Sequence, residues 1–190
     1  MLKNILSSWS YYLSNKLPIK SYQIFGEEVT FYVSSEKIPF VLFFLRNHLN
    51  SRFEVLSCIS CADFPEKFDR FELSYELVSL HFNFRLRVKT SVNENSFIHS
   101  VSGLFCSANW CEREIWDLFG VFFKKHPDLR RILTDYGFEG FPLRKNFPLS
   151  GFIEIRFDEN KKRVLCEPLE LSQEFRAFDF ENPWVTLNLE

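Results

Sequence analysis

Residues 70–89 read RFELSYELVSLHFNFRLRVK, and their alternation decides the fold. Phe71, Leu73, Tyr75 and Leu77 share one parity, with Arg70, Glu72, Ser74 and Glu76 on the other; Phe82, Phe84, Leu86 and Val88 then alternate with Asn83, Arg85, Arg87 and Lys89. Successive side chains of a strand point to opposite faces, so both runs predict half-buried strands. Joined near Ser79 to His81, they make an antiparallel pair with one wet face and one dry face.

The flanking sequence extends this sheet and supplies its cover. Ile19 to Phe25 and Val29 to Val33 flank Gly26-Glu27-Glu28 as a hairpin, and Phe53 to Ile59 alternate loosely as a further strand. Leu2, Ile5, Leu6, Trp9 and Leu13 have the spacing of a first helix. Ile38, Val41, Leu42, Leu45 and Leu49 predict a second, capped by Ser34 or Ser35 with Pro39 near its first turn. Ile98, Val101 and Phe105 suggest a short third helix after the polar loop Ser91 to Ser96.

The next helix opens the stretch WCEREIWDLFGVFFKKHPDLRRILTD, residues 110–135. Cys111, Ile115, Leu118 and Phe119 share one helical face, with Glu112, Arg113, Glu114 and Asp117 on the remaining surface. Arg113 and Asp117 are spaced to pair across a turn. Gly120 ends the helix in the left-handed conformation, Val121 to Phe123 read as a short buried strand, and His126-Pro127-Asp128 as a turn. Leu129, Ile132 and Leu133 leave room for one helical turn beside Arg130 and Arg131.

An α+β fold follows, a mostly antiparallel sheet covered by helices, with residues 1–135 as its core. From residue 136 to 190 glycine and proline interrupt the chain too often for long elements, apart from a small hairpin at Ile153 to Phe157 and Arg163 to Cys166. This is an extended C-terminal arm. Its Phe175, Phe178, Phe180 and Trp184, between acidic residues, need a surface to lie on, either the chain's own domain or a partner, and the cost of exposing them favours a large partner.

The 23 basic and 25 acidic residues leave a net charge of -2, which provides no electrostatic funnel for nucleic acid or an anionic membrane. No run approaches the roughly 18 apolar residues of a transmembrane helix. The 24 phenylalanines are spread along the whole chain, as a biased genome would spread them. Lys3, Lys16 and Lys20 precede any acid, like a targeting peptide, but the first arginine is Arg46, and the spacing suits a folded helix equally. The odd count of five cysteines argues for reduced, mostly buried thiols.

Candidate chemistry is sparse. Cys58-Ile59-Ser60-Cys61 could be a redox pair or half a zinc site, yet Cys106 and Cys111 have neither usual ligand spacing; structural thiols are the expectation, with a four-thiolate iron–sulfur cluster as the alternative to test. His126 is expected to hold backbone groups of its turn, and Glu112 and Asp117 to form salt bridges with basic neighbours. Arg144 and Lys145 could hold a phosphate, but a solvated or partner-facing pair is the simpler reading. No nucleotide-binding glycine motif or nucleophile elbow is present.

CEREIWDLFGVFFKKHPDLRRIL, then TDYGFEGFPLRKNFPLSG and EPLELSQEFRAFDFENPW, resemble the 30-kilodalton subunit of respiratory NADH:ubiquinone oxidoreductase, complex I, called subunit 9 when organelle-encoded. The resemblance spans roughly Phe31 to Val185 and rests on Glu112 to Glu114, Asp117, Phe119-Gly120, His126, Arg130 and Arg131 to Leu133, with Arg85, Arg87, Lys89 and Thr90 fitting more weakly. Phe141 and Asn146 depart from it, standing where histidine and aspartate are common, which puts any protonic role of that loop in doubt.

The resemblance implies a peripheral-arm subunit without flavin or iron–sulfur cluster; FMN, the clusters and ubiquinone would be bound by other subunits. It would pack against the 49-kilodalton subunit and neighbouring iron–sulfur subunits of the quinone module, on the matrix side of the mitochondrial inner membrane. Glu112, Arg113, Glu114, Asp117, His126, Arg130, Arg131, Arg144, Lys145, Phe175, Arg176, Phe178 and Trp184 are then structural or interface candidates. An organelle-encoded copy would need no transit peptide, which favours the first helix. The alternatives are the equivalent subunit of a plastid-type NDH complex, a related hydrogenase subunit, or an independent thiol-redox or metal-binding protein.

Overall fold

The computed structural model of the chain describes residues 2–26, 28–178 and 180. Helix α1 (Leu2–Ser14) leads into strands β1 (Ile19–Phe25) and β2 (Glu28–Val33), then helix α2 (Ile38–Asn47) and strands β3 (Val55–Asp63), β4 (Phe71–Ser79) and β5 (Phe84–Val92). Short strand β6 (Phe97–His99), helix α3 (Ala108–Phe119) and short strand β7 (Phe122–Lys124) follow, and β8 (Ile153–Asp158) with β9 (Arg163–Pro168) closes the described elements.

The main sheet has the order β1-β2-β5-β4-β3 and is antiparallel except where β2 lies parallel to β5. Tyr75 faces Val88 and Leu77 faces Leu86 across the central pair, as the alternation requires, and these residues are buried with Phe71, Leu73, Val29, Phe31 and Val33. Leu6 and Leu13 of α1 and Val41, Leu42 and Leu45 of α2 are buried in the same core. The opposite face is polar: Glu76 pairs with its cross-strand neighbour Arg87, and Lys89 reaches Glu72 at 2.7 Å.

Three local expectations are corrected. Ile98, Val101 and Phe105 form no helix: Phe97–His99 instead pairs in parallel with Phe122–Lys124, and tight turns on the Val101 carbonyl follow, from the amides of Leu104 (2.9 Å) and Phe105 (3.0 Å). The spacing of those three residues fits a strand and a turn as well as a helix, and the deciding partner strand lies far along the chain. Ser34 and Ser35 make no side-chain cap to α2; a short 3-10 turn, Ser35–Lys37, carries the chain in, with Pro39 in the first turn. The cysteines are not mostly buried: Cys58, Cys106 and Cys166 are exposed, and Cys61 and Cys111 are half-buried.

Residues 1–147 form one compact unit and residues 148–190 a second. In the second, β8 and β9 are antiparallel, with Ile153 opposite Pro168, Ile155 opposite Cys166 and Phe157 opposite Val164 on one side. Ile153, Ile155, Phe157 and Val164 are all exposed. On the other side Arg156 grips Glu167 through two hydrogen bonds of 2.7 and 2.9 Å. Among the described residues no helix is long and apolar enough to cross a membrane.

Tyr75 is fully buried, and its hydroxyl has no hydrogen-bond partner among the described residues. Tyr75→Phe is expected to leave stability unchanged or raise it by up to about 1 kcal/mol in chemical denaturation, since an unpaired buried hydroxyl costs free energy. A loss of about 2 kcal/mol would mean that the hydroxyl is bonded.

Candidate functional site

Helix α3 carries the densest charge of the candidate set. Gly120 ends it in the left-handed region (φ 76°), its amide bonding the Trp116 carbonyl at 3.0 Å. Of the four charged positions outside its apolar face, Glu112, Arg113 and Asp117 are buried, and only Glu114 is exposed. α3 is enclosed from several sides, by the sheet and by the segments before and after it, so its polar positions are interior as well.

Asp117 gathers the chain beyond the helix. Its Oδ2 accepts the backbone amides of Ile132 (3.1 Å), Leu133 (2.7 Å) and Thr134 (2.9 Å), while Oδ1 accepts the Thr134 hydroxyl (2.6 Å) and Arg131 Nη1 (3.2 Å). Three consecutive amides aimed at one oxygen cannot also build a helical ladder, so the expected turn at Leu129 to Leu133 is instead a nest around a carboxylate. Burial raises the Asp117 carboxyl, but the hydrogen bonds from Thr134, Leu133 and Ile132 outweigh it and hold the group below its ordinary value. Arg131 continues to the Gly140 carbonyl at 2.9 Å.

Arg113 is not Asp117's partner. Its Nε donates to the Arg130 carbonyl at 3.2 Å and its guanidinium lies 5.0 Å from the centre of the Trp110 ring. The Arg130 side chain is exposed and pairs with Asp128 at 3.0 Å.

Glu112 has no Lys or Arg partner among the described residues. Ser100 Oγ lies 2.6 Å from Oε2, the Val101 amide donates to Oε1 at 2.7 Å, and His126 Nε2 is 3.8 Å away. Burial pushes this carboxyl up to about 7 against the opposing Ser100 and Val101 hydrogen bonds. The salt bridge expected for Glu112 is therefore replaced by neutral donors. His126 does hold backbone groups: Nδ1 accepts the Asp128 amide at 3.1 Å, and Nε2 meets the Asn109 carbonyl at 3.2 Å. Ser100, Glu112 and His126 do not form a nucleophilic triad, because the serine hydroxyl meets the carboxyl and both imidazole nitrogens face backbone groups.

The third cluster joins residues far apart in sequence. Arg144 Nε donates to the Phe119 carbonyl at the end of α3 (2.6 Å), its Nη1 meets Glu94, and its guanidinium packs over Phe71 and Phe141. A Cβ at Gly120 would stand 2.6 Å from the Phe141 ring, so glycine serves close approach as well as the turn. Buried Asp63 takes a two-pronged contact from Arg70 (2.7 and 2.9 Å) and the Lys145 amide (2.8 Å). The Arg70 and Lys145 hydrogen bonds outweigh burial and hold the Asp63 carboxyl below its ordinary value. Arg144 is therefore engaged within the chain and not a solvated cation, whereas Lys145 is an exposed residue.

Phe141 and Asn146, the two departures from the family pattern, both have partners here. Phe141 packs on Trp116 and Arg144, and Asn146 Oδ1 accepts from Arg70 Nη2 at 3.0 Å. Asp63, Arg70 and Glu94 were missed by sequence reasoning, since nothing in their spacing links them. An acid and an arginine bracketing the turn between two adjacent strands was the one available signal.

Cys58 and Cys61 are three apart on a regular stretch of β3, so their side chains leave opposite faces and cannot chelate one ion. Burial, with Asp63 nearby, pushes the Cys61 thiol up to about 12, away from the thiolate a metal requires. Among the described residues no group of three or more His, Cys, Asp or Glu side chains is placed to hold a metal. Phe175 and Phe178 are exposed, with Arg176 over the Phe178 ring; Trp184 lies outside the described residues.

Comparison with known proteins adds a consistent set of likenesses. The family described as respiratory-chain NADH dehydrogenase, 30 Kd subunit, matches residues 31–153. The NADH-ubiquinone oxidoreductase subunit 9 of Prototheca wickerhamii is 55% identical over 157 residues, covering 83% of this chain and 82% of that protein. Subunit 9 of Reclinomonas americana is 52% identical, covering 85% and 79%. An Oryza sativa subsp. japonica protein named NADH dehydrogenase [ubiquinone] iron-sulfur protein 3 is 54% identical, covering 81% of each. A chain of the membrane-bound sulfane sulfur reductase, an archaeal respiratory membrane complex, shares the fold with a TM-score of 0.65 at 24% identity, over 84% of this chain and 98% of that one.

Two measurements test the carboxylates. Asp117→Asn is expected to cost about 2 to 5 kcal/mol in denaturant unfolding, because buried donors lose a charged acceptor. Glu112 carries the opposite sign: its folded carboxyl holds a proton more tightly than the unfolded one, so its contribution is full below 4.5 and declines as pH rises through about 7. Glu112→Gln should flatten that slope in denaturation curves; an unchanged slope would assign it to another group.

Proposed function

This chain belongs to the family of the respiratory-chain NADH dehydrogenase 30 Kd subunit, and we propose from that premise that it serves as a structural and assembly subunit of the peripheral arm of mitochondrial complex I. It works on the matrix side of the inner membrane, within the assembly that passes electrons from NADH to ubiquinone and couples this to proton translocation. It carries no cofactor itself; FMN, iron–sulfur clusters and ubiquinone are held by other subunits. Its neighbours in this reading are the 49-kilodalton subunit and the iron–sulfur subunits of the quinone module.

One observation carries the reading beyond the family. The charged side chains Asp63, Arg70, Arg113, Asp117, Arg131 and Arg144 are used in fastening the chain to itself, while β8 and β9 expose a row of apolar side chains. A two-stranded hairpin with a bare apolar side is marginal in water and gains stability from a cover. The arm of residues 136–190 therefore has two duties in this proposal: residues 141–146 lock the end of α3, and the hairpin and tail meet partner subunits.

Native-gel electrophoresis of mitochondrial membranes tests it. The chain is expected to comigrate with NADH dehydrogenase activity, and Ile155→Asp with Phe157→Asp should lower the comigrating fraction by roughly tenfold, as loss of an interface anchor does. A free monomer with catalysis of its own, or a purified chain holding stoichiometric iron, would overturn the proposal.

A further inference from the structure

We propose that Glu112 and His126 form a proton-sensitive latch: the charge state of the Glu112 carboxyl decides whether the His126 Nε2–H stays on the Asn109 carbonyl or turns to the carboxylate, and so how the 126–128 turn seats on α3. This goes beyond the assembly role, which does not require it.

Both ring nitrogens of His126 have partners. Nδ1 accepts the Asp128 amide at 3.1 Å, so it carries no proton, and the proton on Nε2 points to the Asn109 carbonyl at 3.2 Å. Protonating Nδ1 would set two donors against each other and break the turn. His126 is therefore a donor that can change acceptors.

The neutral carboxyl is fully satisfied where it stands. Its hydroxyl can donate from Oε2 to Ser100 Oγ, which hands the bond on to Ser102 Oγ at 2.8 Å, while Oε1 keeps the Val101 amide. Ionisation reverses the Ser100 bond and leaves a buried charge with two donors. Among the described residues no Lys or Arg is paired with it. On the same helix Arg113 is engaged by the Arg130 carbonyl, and Asp117 by residues 131–134. From β4 the Tyr75 hydroxyl faces the pocket, its ionisation opposed by burial first, then by Glu112 and by Cys61 of β3. Lys124 of β7 lies over the Phe97 ring, and His99 of β6 stands edge-on to that ring.

The nearest nitrogen donor able to turn is His126 Nε2, 3.8 Å from Oε2 with both side chains fully buried. Releasing Asn109 is tolerable, because a first-turn carbonyl can still accept from the helix's own ladder. Because Nδ1 holds the Asp128 amide, a rotating ring pulls residues 126–128 with it. Burial places the Glu112 transition at about 7, so the latch is seated below that pH and turned above it.

The test is nuclear magnetic resonance of the full chain with labelled histidine, titrated from about pH 5 to about pH 9, a span that brackets the raised Glu112 value of about 7 and the ordinary imidazole value. The His126 Nε2–H signal and the Asp128 amide are expected to shift together with one midpoint near 7, the ring keeping the Nε2–H tautomer throughout, and Glu112→Gln should freeze both signals. If that variant does not fold, the wild-type Glu112 carboxyl carbon decides the matter by sharing or not sharing the His126 midpoint. Protonation of Nδ1, a midpoint that persists in Glu112→Gln, a carboxyl midpoint that differs, or signals that do not move would overturn the latch.

Discussion

A carboxylate removed from water must collect hydrogen-bond donors, and residues 131–134 are arranged around that need at Asp117. Within one helical element its oxygens receive three backbone amides, a hydroxyl and a guanidinium, all from residues 131–134. Each of these bonds is stronger for the charge it meets and for the low dielectric around it. Residues 131–134, which belong to no helix or strand, take their shape from this one side chain.

The helix end presents the complementary problem. Terminal carbonyls of α3 lack intrahelical donors, and the chain answers with the Gly120 amide on Trp116, the Leu143 amide on Leu118 and Arg144 on Phe119. The positive charge of Arg144 at a helix C-terminus is also favourable to the helix dipole. Phe141 and Arg144 approach so closely that a Cβ at Gly120 would force their side chains to shift. Asp63, Arg70 and Asn146 then secure the same loop to the turn between β3 and β4. Asp63, Arg70, Asp117, Arg131 and Arg144 thus act as internal fasteners.

This division of labour suits a subunit whose family works inside a larger respiratory assembly. Arg–carboxylate contacts with fixed geometry give a defined scaffold, whereas the apolar row on β8 and β9 is the kind of surface that gains by being covered. Glu112 stands apart from both. It is an acid that burial keeps protonated to about neutrality, in contact with uncharged donors, and it gives this otherwise static helix a group that responds to pH.

What the sequence determined by itself was the sheet and most of its cover. The alternation of Phe71 to Leu77 and of Phe84 to Val88, the helical spacing of Ile38 to Leu45 and the stop at Gly120 are local patterns with one low-energy solution each, so their elements could be read without partners. The tertiary structure alone decided the parallel pairing of Phe97–His99 with Phe122–Lys124, the carboxylate nest in place of a helical turn at 131–134, and the cluster of Asp63, Arg70, Glu94 and Arg144. Those features depend on groups brought together across many residues. The same is true of which charges on α3 face inward: helical periodicity orders side chains around an axis, but burial is set by how many neighbours enclose that axis, and here they enclose it on nearly every side.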